Sequence, residues 1–271
     1  MKKTIKVLGI IVLVAVIGFS MVACGGDDDS GGGGGGGGGG NWREKKSTSY
    51  TITDGVASAP SEAVYNWIIY RYTSDTNYES KFTVTSATAS TTNHYTRNGQ
   101  NFVSSSESST YTAIYDSEST LESKVTNTYS SSSGTPDTLE YTYNIEFLDD
   151  NGGVKTYKRT YNTKISNGVS QDVSTQGYSE CKIKNGRKLE EKFFSADGVL
   201  SSTTTYTLSD NAVIKAKLGN YRLSSTTTPT STSYNTVEVL SDSATELVIR
   251  GKTFTNNVLS GQRDDTYEKV K

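Results

Sequence analysis

The chain has few residues of the types that carry nucleophilic or metal chemistry. His94 is the only histidine, and Cys24 and Cys181 are the only cysteines. Ser-His-Asp and Cys-His catalytic arrangements both need a histidine. His94 lies beside Asn98-Gly99, a strong hairpin-turn signal, where a solvated histidine is the ordinary case. One histidine and one free thiol are also too few ligands for a zinc site. We therefore expect no catalytic residue, no metal and no cofactor.

Two groups of acidic residues could carry other chemistry. Glu190-Glu191 could be the carboxylate pair of a glycoside hydrolase, but adjacent residues on a strand point to opposite faces. Asp149-Asp150-Asn151-Gly152 could begin a calcium loop, yet the twelfth position, which should be a glutamate, is Thr160. We predict a hairpin turn at this second group. The balance of 27 basic against 29 acidic residues argues against a nucleic-acid partner.

The N-terminus carries a pattern of a different kind. Three lysines precede an apolar run from Val7 to Phe19, and Met21-Val22-Ala23-Cys24 follows. The run has roughly 13 residues, whereas a spanning helix needs ~20. The arrangement resembles the lipobox signal peptide of bacterial lipoproteins, with Met21 where leucine is usual. The resemblance implies a signal peptide over residues 1–23 and acyl chains, palmitate among them, on Cys24; an uncleaved helical anchor is the alternative.

Residues 24–40 would then connect the lipid anchor to the rest of the chain. They are almost entirely glycine, apart from Cys24, Ser30 and three aspartates, Asp27, Asp28 and Asp29. Polyglycine has no side chains to bury, so we expect a flexible tether with a root-mean-square span of ~22 Å. The aspartates act either as a sorting signal or as a solvated linker. The implied location is the bacterial cell envelope, at the outer membrane or cell surface rather than the inner membrane.

The composition of residues 41–271 favours strands. The chain has 18 Tyr and only 3 Pro, with abundant Thr and Ser and a mean hydropathy of −0.53. Branched and aromatic side chains suit a half-buried pleated surface. Apolar and polar residues alternate between turn signals that recur about every ten residues. We predict an all-β domain, an antiparallel meander that forms a barrel or a sandwich.

Some local predictions bear directly on the site. Cys181 alternates with Ile183 and should point into the core, which leaves the domain without a disulfide. Tyr141, Tyr143 and Tyr206 are also predicted to be core residues. The predicted strands include Val64–Tyr72, with a short helix beginning near Pro60 as the alternative, and Ala212–Lys217.

The part from Leu139 to Lys271 resembles the lipocalin-like domains of bacterial lipoproteins. The resemblance rests on Ile145 to Gly152, Thr205 to Asn211, Val237 to Arg250 and the final Thr266 to Lys271. It implies a barrel whose interior or mouth takes a small apolar ligand. We therefore expect a lipid-anchored envelope protein that binds and does not catalyse. The alternative is a surface interaction protein or adhesin that uses an exposed Ser/Thr/Tyr-rich sheet face.

Overall fold

The computed structural model describes residues 42–269, apart from 75–76, 87–89, 131–134 and 220. The predicted signal peptide 1–23, the acylation site Cys24 and the tether 24–40 with Asp27, Asp28 and Asp29 lie outside the described residues. Within the described part of the chain, no helix is both long enough and apolar enough to cross a membrane.

The described chain is mostly β-strand with one short helix, which confirms the predicted all-β class. The strands of the N-terminal half are β1 (Trp42–Thr53), β2 (Val56–Ala57), β3 (Ser61–Ser74), β4 (Asn77–Ser86), β5 (Ser90–Asn98), β6 (Asn101–Ser105), β7 (Ser109–Tyr115), β8 (Glu122–Tyr129) and β9 (Asp137–Asn151). The helix considered near Pro60 is not formed, because β3 begins at Ser61.

The C-terminal half continues the same pattern with one interruption by a helix. Its elements are β10 (Val154–Ser166), β11 (Val169–Gln171), β12 (Tyr178–Lys184), β13 (Arg187–Phe194), β14 (Leu200–Leu208), α1 (Ala212–Leu218), β15 (Arg222–Thr227), β16 (Thr232–Asp242), β17 (Glu246–Thr255) and β18 (Val258–Lys269).

Every strand pairing is antiparallel, and nearly every strand pairs with the next one along the chain. Sixteen strands make up this meander, while β2 and β11 are short hairpin extensions of β1 and β10. The first strand, β1, pairs with β3 on one side and with the last strand, β18, on the other. Residues from opposite ends of the sequence therefore become neighbours.

Tight turns at Asn-Gly dipeptides set the register of two hairpins. Asn185 and Gly186 have φ angles of 51° and 73°, and Asn167 and Gly168 have φ angles of 49° and 78°. Two successive positive φ angles are the mark of a type I′ turn, whose twist matches that of paired strands. Asn and Gly tolerate this conformation better than other residues. The strands on either side of each turn are thereby fixed in register.

One predicted strand is wrong. Ala212–Lys217 was expected to be a strand but belongs to helix α1, which runs to Leu218. The side-chain oxygen Oδ1 of Asn211 accepts hydrogen bonds from the backbone amides of Val213, at 3.0 Å, and Ile214, at 3.2 Å. This N-cap satisfies amides that a helix start leaves unpaired. Ile214 and Leu218, four residues apart, then lie on one helical face and both are buried.

Among the residues that the structure describes, the buried apolar side chains form three clusters. The largest joins Ile214 and Leu218 of α1 to Leu247, Ile249 and Tyr267 of the last two strands. A second cluster consists of Phe102, Ala113 and Val125, against which Tyr143 packs. The third contains Leu121, Tyr157, Cys181 and Ile183. Helix α1 therefore covers one face of the sheet at β17 and β18, and this face also carries the candidate site.

The predicted core residues are found at different depths. Cys181 is fully buried, so its predicted inward orientation is confirmed. Tyr143 packs against the second cluster and stacks with Tyr141 at a ring-centroid distance of 6.3 Å. Tyr141 and Tyr206 are only half-buried. These tyrosine rings therefore pack on the sheet but remain partly accessible to solvent.

Candidate functional site

The candidate site is built where the first and last strands of the chain meet. On β18, Tyr267 pairs with Glu44 and Leu247, and Asp265 pairs with Ser47 and Ile249. Residues directly opposite each other in antiparallel strands project from the same face of the sheet. We call the face that carries Glu44, Ser47, Asp265 and Tyr267 the inner face. All four of these residues are buried.

A β-bulge places Glu44 on the inner face. Glu44 and Ser47 are three residues apart, a spacing that would put them on opposite faces of a regular strand. The register between β1 and β18 shifts between Glu44 and Lys46, so β1 holds one extra residue there. A bulge of this kind re-aims a side chain. Here it brings a second carboxylate beside Asp265.

Arg263 joins the two carboxylates into one buried ionic cluster. Its guanidinium donates hydrogen bonds from Nη2 to Oε1 of Glu44 and from Nε to Oδ1 of Asp265. Glu44 is 4% exposed and Asp265 is 5% exposed. One guanidinium cannot neutralise two buried carboxylates, and a net buried charge is costly. The cluster therefore favours one additional proton.

The pKa values of the cluster agree with this charge count. Burial raises the pKa of Glu44 to about 8, and it also raises the pKa of Asp265. The two carboxyl groups hydrogen-bond to each other, so one proton can be held between them. The neighbouring carboxylates raise the pKa of Arg263 despite its burial. At neutral pH we therefore expect Arg263 charged and the pair of acids sharing one proton.

Tyrosines surround the cluster with neutral hydrogen-bonding groups. The Tyr65 hydroxyl lies 3.3 Å from Oγ of Ser47. Burial and nearby carboxylates raise the pKa values of Tyr65, Tyr221 and Tyr267. These phenols stay protonated at physiological pH and can donate hydrogen bonds. The site thus presents hydroxyl groups beside a cluster whose charges are internally paired.

A cavity of about 440 Å³ lies next to this cluster, between strands β15 to β18. Arg263, Asp265 and Tyr267 form part of its wall. Among the described lining residues, Leu223 is the one aliphatic residue, and the others are tyrosines, polar residues and two glycines. The remaining residues are Tyr50, Tyr221, Arg222, Ser224, Thr226, Ser233, Asn235, Thr236, Gly251, Lys252, Thr253, Gly261 and Gln262.

Gly251 and Gly261 leave open space where other residues would have side chains. Gly251 pairs with Arg263 and with Val237, so a side chain there would project from the inner face. A Cβ atom added at Gly251 would meet only the Arg263 carbonyl oxygen, at 3.8 Å, an ordinary contact. The sheet could accept a side chain at this position, and the absence of one keeps the cavity open.

A second ionic cluster, formed by residues of β8, β10 and β13, contains the buried Glu191. Glu191 is 5% exposed, and its Oε2 lies 2.8 Å from Nζ of Lys188. Arg159 approaches Glu191 at 3.7 Å and Glu122 at 3.4 Å. Two cations and two carboxylates balance here. Burial raises the pKa of the Cys181 thiol, 3.5 Å from Glu191, to about 11, which keeps it protonated.

The other residues considered from sequence are placed apart from the cavity. Glu190 contacts Lys182 at 3.0 Å, whereas its neighbour Glu191 belongs to the buried cluster, so the two do not share a pocket. His94 is a half-buried residue of β5, paired with Lys81 and Ser105. Across the described ranges, no three histidine, cysteine or carboxylate side chains are grouped as a metal site requires.

The acidic Asp149–Gly152 segment forms the predicted hairpin turn. Asn151 pairs with Val154 across Gly152 and Gly153, both of which have positive φ. Oδ1 of Asp150 accepts a hydrogen bond from the Gly153 amide at 2.9 Å. The carboxylate of Asp150 therefore stabilises the turn.

Sequence reasoning missed the candidate site itself. Glu44 and Arg263 are 219 positions apart, so no local motif joins them. The available signal was a set of charged residues inside strand patterns, at Arg263, Asp264 and Asp265. A scan against models of known protein families and a search of curated proteins both find no match for the chain.

Proposed function

We propose that this chain is a non-catalytic, membrane-anchored envelope lipoprotein that binds a small ligand in the cavity of its β domain. The observation that supports the binding role best is the cavity of about 440 Å³ on the inner face. This volume falls within the range of about 300–1,000 Å³ that small-molecule sites occupy. We further propose that the sheet curves around this cavity and forms a lipocalin-like barrel or sandwich.

The lining favours a ligand with both apolar and hydrogen-bonding groups. Tyrosine rings and threonine methyl groups offer apolar contact, while amides and hydroxyls offer donors and acceptors. The purely apolar ligand that the lipocalin resemblance implies would leave these polar groups unpaired when water is displaced, which is unfavourable. The same strands that carry the resemblance, from β9 onward, supply most of the cavity wall.

Filling the cavity is expected to abolish ligand binding. Gly251→Leu should place a branched side chain inside the cavity without moving β17, because the position has space for it. Native mass spectrometry of the full chain, purified from cells in detergent, should show a small-molecule adduct in the wild type. We expect at least ten-fold less adduct in the variant.

The matched control is Thr126→Leu, which adds the same side chain on the opposite face of β8 from the buried Val125. This variant should retain the adduct. An equal adduct in Gly251→Leu and Thr126→Leu, or none in several wild-type preparations, would contradict the proposed cavity.

The proposed lipid anchor has a separate test. Cys24→Ala should abolish incorporation of a radiolabelled fatty acid and release the protein from the membrane fraction, because more than one acyl chain is needed for stable anchoring. Cys181→Ala is the matched control, since Cys181 is buried in the core and should not be acylated. Labelling that persists in Cys24→Ala would show that the anchor is elsewhere.

A surface interaction role is the second candidate, because aromatic pairs lie on the face opposite the inner face. Tyr178 stacks on Phe194 at 4.7 Å, with Nζ of Lys158 4.3 Å from the tyrosine ring. Tyr234 and Phe254 stack at 5.1 Å in the same manner. Cell adhesion that is lost in Tyr178→Ser but retained in Gly251→Leu would favour this role over ligand binding.

A further inference from the structure

We infer that the cavity takes an uncharged, polyhydroxylated ligand of the size of a mono- or disaccharide. This inference rests on the proposed binding function and specifies its ligand class. It follows from three properties of the lining: its charged side chains already contact other groups of the protein, most of its hydrogen-bonding groups are neutral, and its apolar side chains are mainly aromatic.

The charged groups of the lining are largely engaged by the protein itself. Arg263 is held between Glu44 and Asp265. Nζ of Lys252 lies 2.9 Å from Oε1 of Glu238, and the Arg222 guanidinium lies 4.6 Å from the centre of the Tyr206 ring. A charged ligand would have to break the Arg263 contacts, and breaking a buried pair is costly. The contacts of Lys252 and Arg222 are partly exposed and therefore weaker. An uncharged ligand leaves all of them in place.

The neutral lining groups form a dense set of donors and acceptors. Nδ2 of Asn235 donates to Oγ of Ser224 at 3.3 Å, which fixes the orientation of the amide. Thr253 is paired with Asn235 across β16 and β17, so both project from the inner face. Hydroxyls and amides at close spacing match a ligand that carries a hydroxyl group on most of its carbons.

The tyrosines provide the apolar part of the recognition. Tyr221 and Tyr267 line the cavity, and Tyr267 projects from the inner face. Sugar rings present flat patches of C–H groups between their hydroxyls, and such patches pack on aromatic faces. An aliphatic chain would instead require a lining of aliphatic side chains, of which Leu223 is the single example. The combination of aromatic rings and neutral polar groups therefore indicates a saccharide more than a lipid.

The experiment is calorimetric titration of the full chain in a detergent without a sugar headgroup. The probes are maltose, cellobiose, lactose and N,N′-diacetylchitobiose as neutral saccharides, with glucuronate, glucosamine and palmitate for comparison. At least one neutral disaccharide should bind saturably, and its Kd should change less than two-fold between low and high salt because no charge is recognised. Asn235→Ala and Thr253→Val should each weaken it at least ten-fold.

Asn144→Ala is the matched control, since Asn144 is exposed on β9 and lies outside the lining; its Kd should equal that of the wild type. Cavity-dependent binding of palmitate, or tighter binding of glucuronate or glucosamine than of every neutral probe, would overturn the saccharide inference and leave the proposed binding function intact. The absence of binding by any probe, together with no native adduct, would overturn both.

Discussion

Replacing Arg263 by methionine is expected to lower the free energy of unfolding by about 3–5 kcal/mol. Arg263 donates hydrogen bonds to both Glu44 and Asp265, which are almost fully buried. Methionine fills similar space but leaves two buried acids without a cation. Ionised, they repel each other; protonated, they lose their charge-assisted hydrogen bonds. Urea unfolding followed by circular dichroism measures this difference directly.

A neighbouring ion pair provides the control for this prediction. Arg250 contacts Asp264 through Nε and Nη2, both at 2.7 Å, on the face opposite the Arg263 cluster. This geometry is good, but the pair is partly solvated, and exposed ion pairs contribute about 0–1 kcal/mol. Arg250→Met should therefore cost no more than about 1 kcal/mol. Equal losses of unfolding free energy in Arg263→Met and Arg250→Met would contradict the prediction that the buried cluster contributes more than the partly solvated pair.

The second large effect is a dependence of stability on pH that Glu44 should cause. Burial raises the pKa of Glu44 from 4.5 in the unfolded chain to about 8 in the folded protein. Between these values the folded protein holds a proton that the unfolded chain releases. Stability is therefore greatest below pH 4.5 for this group and falls as pH rises towards 8, by at most about 1.4 kcal/mol per pH unit.

Glu44→Gln should remove this dependence. Glutamine imitates the protonated acid in shape and charge and cannot titrate. Near pH 5 we expect the variant to match the wild type within about 1 kcal/mol, the size of one hydrogen bond. At pH 8 it should be the more stable protein by roughly 2–4 kcal/mol, since the unfolded wild type, unlike the variant, is stabilised by releasing the proton of Glu44. Urea unfolding of the wild type and the variant at a series of pH values measures the difference in stability at pH 5 and at pH 8.

Glu122→Gln is a suitable comparison, because Glu122 lies in the second ionic cluster and contacts Arg159 at 3.4 Å. Its substitution should not flatten the pH dependence between 5 and 8. Parallel pH profiles for the wild type and Glu44→Gln would mean that Glu44 is ionised in the folded protein throughout this range.

The strands and turns could be predicted because their signals are local. Asn185-Gly186 and Asn167-Gly168 indicate turns because Asn and Gly readily adopt the positive φ angles that a two-residue turn needs. The strands on either side of each turn are indicated by the regular alternation of apolar and polar residues. The first half of β1 was not identified as a strand. Glu44 and Ser47 both face inward because of the bulge, and this breaks the period of two on which the prediction depends.

The helix and the site were not predictable for a different reason. Ala212–Lys217 is too short for its periodicity to separate a helix from a strand. The cluster of Glu44, Arg263 and Asp265 exists only because β1 pairs with β18. That pairing follows from the whole order of strands. A long-range contact of this kind has no signature in a single sequence.

A crystal structure of the full chain, purified from cells and crystallised without added ligand or sugar-based detergent, would show whether the cavity holds a ligand. We expect electron density for a small molecule beside Tyr221, Asn235 and Arg263, on the inner face. Density on the aromatic pair of Tyr178 and Phe194, with only water beside Arg263, would contradict it and favour a surface interaction role.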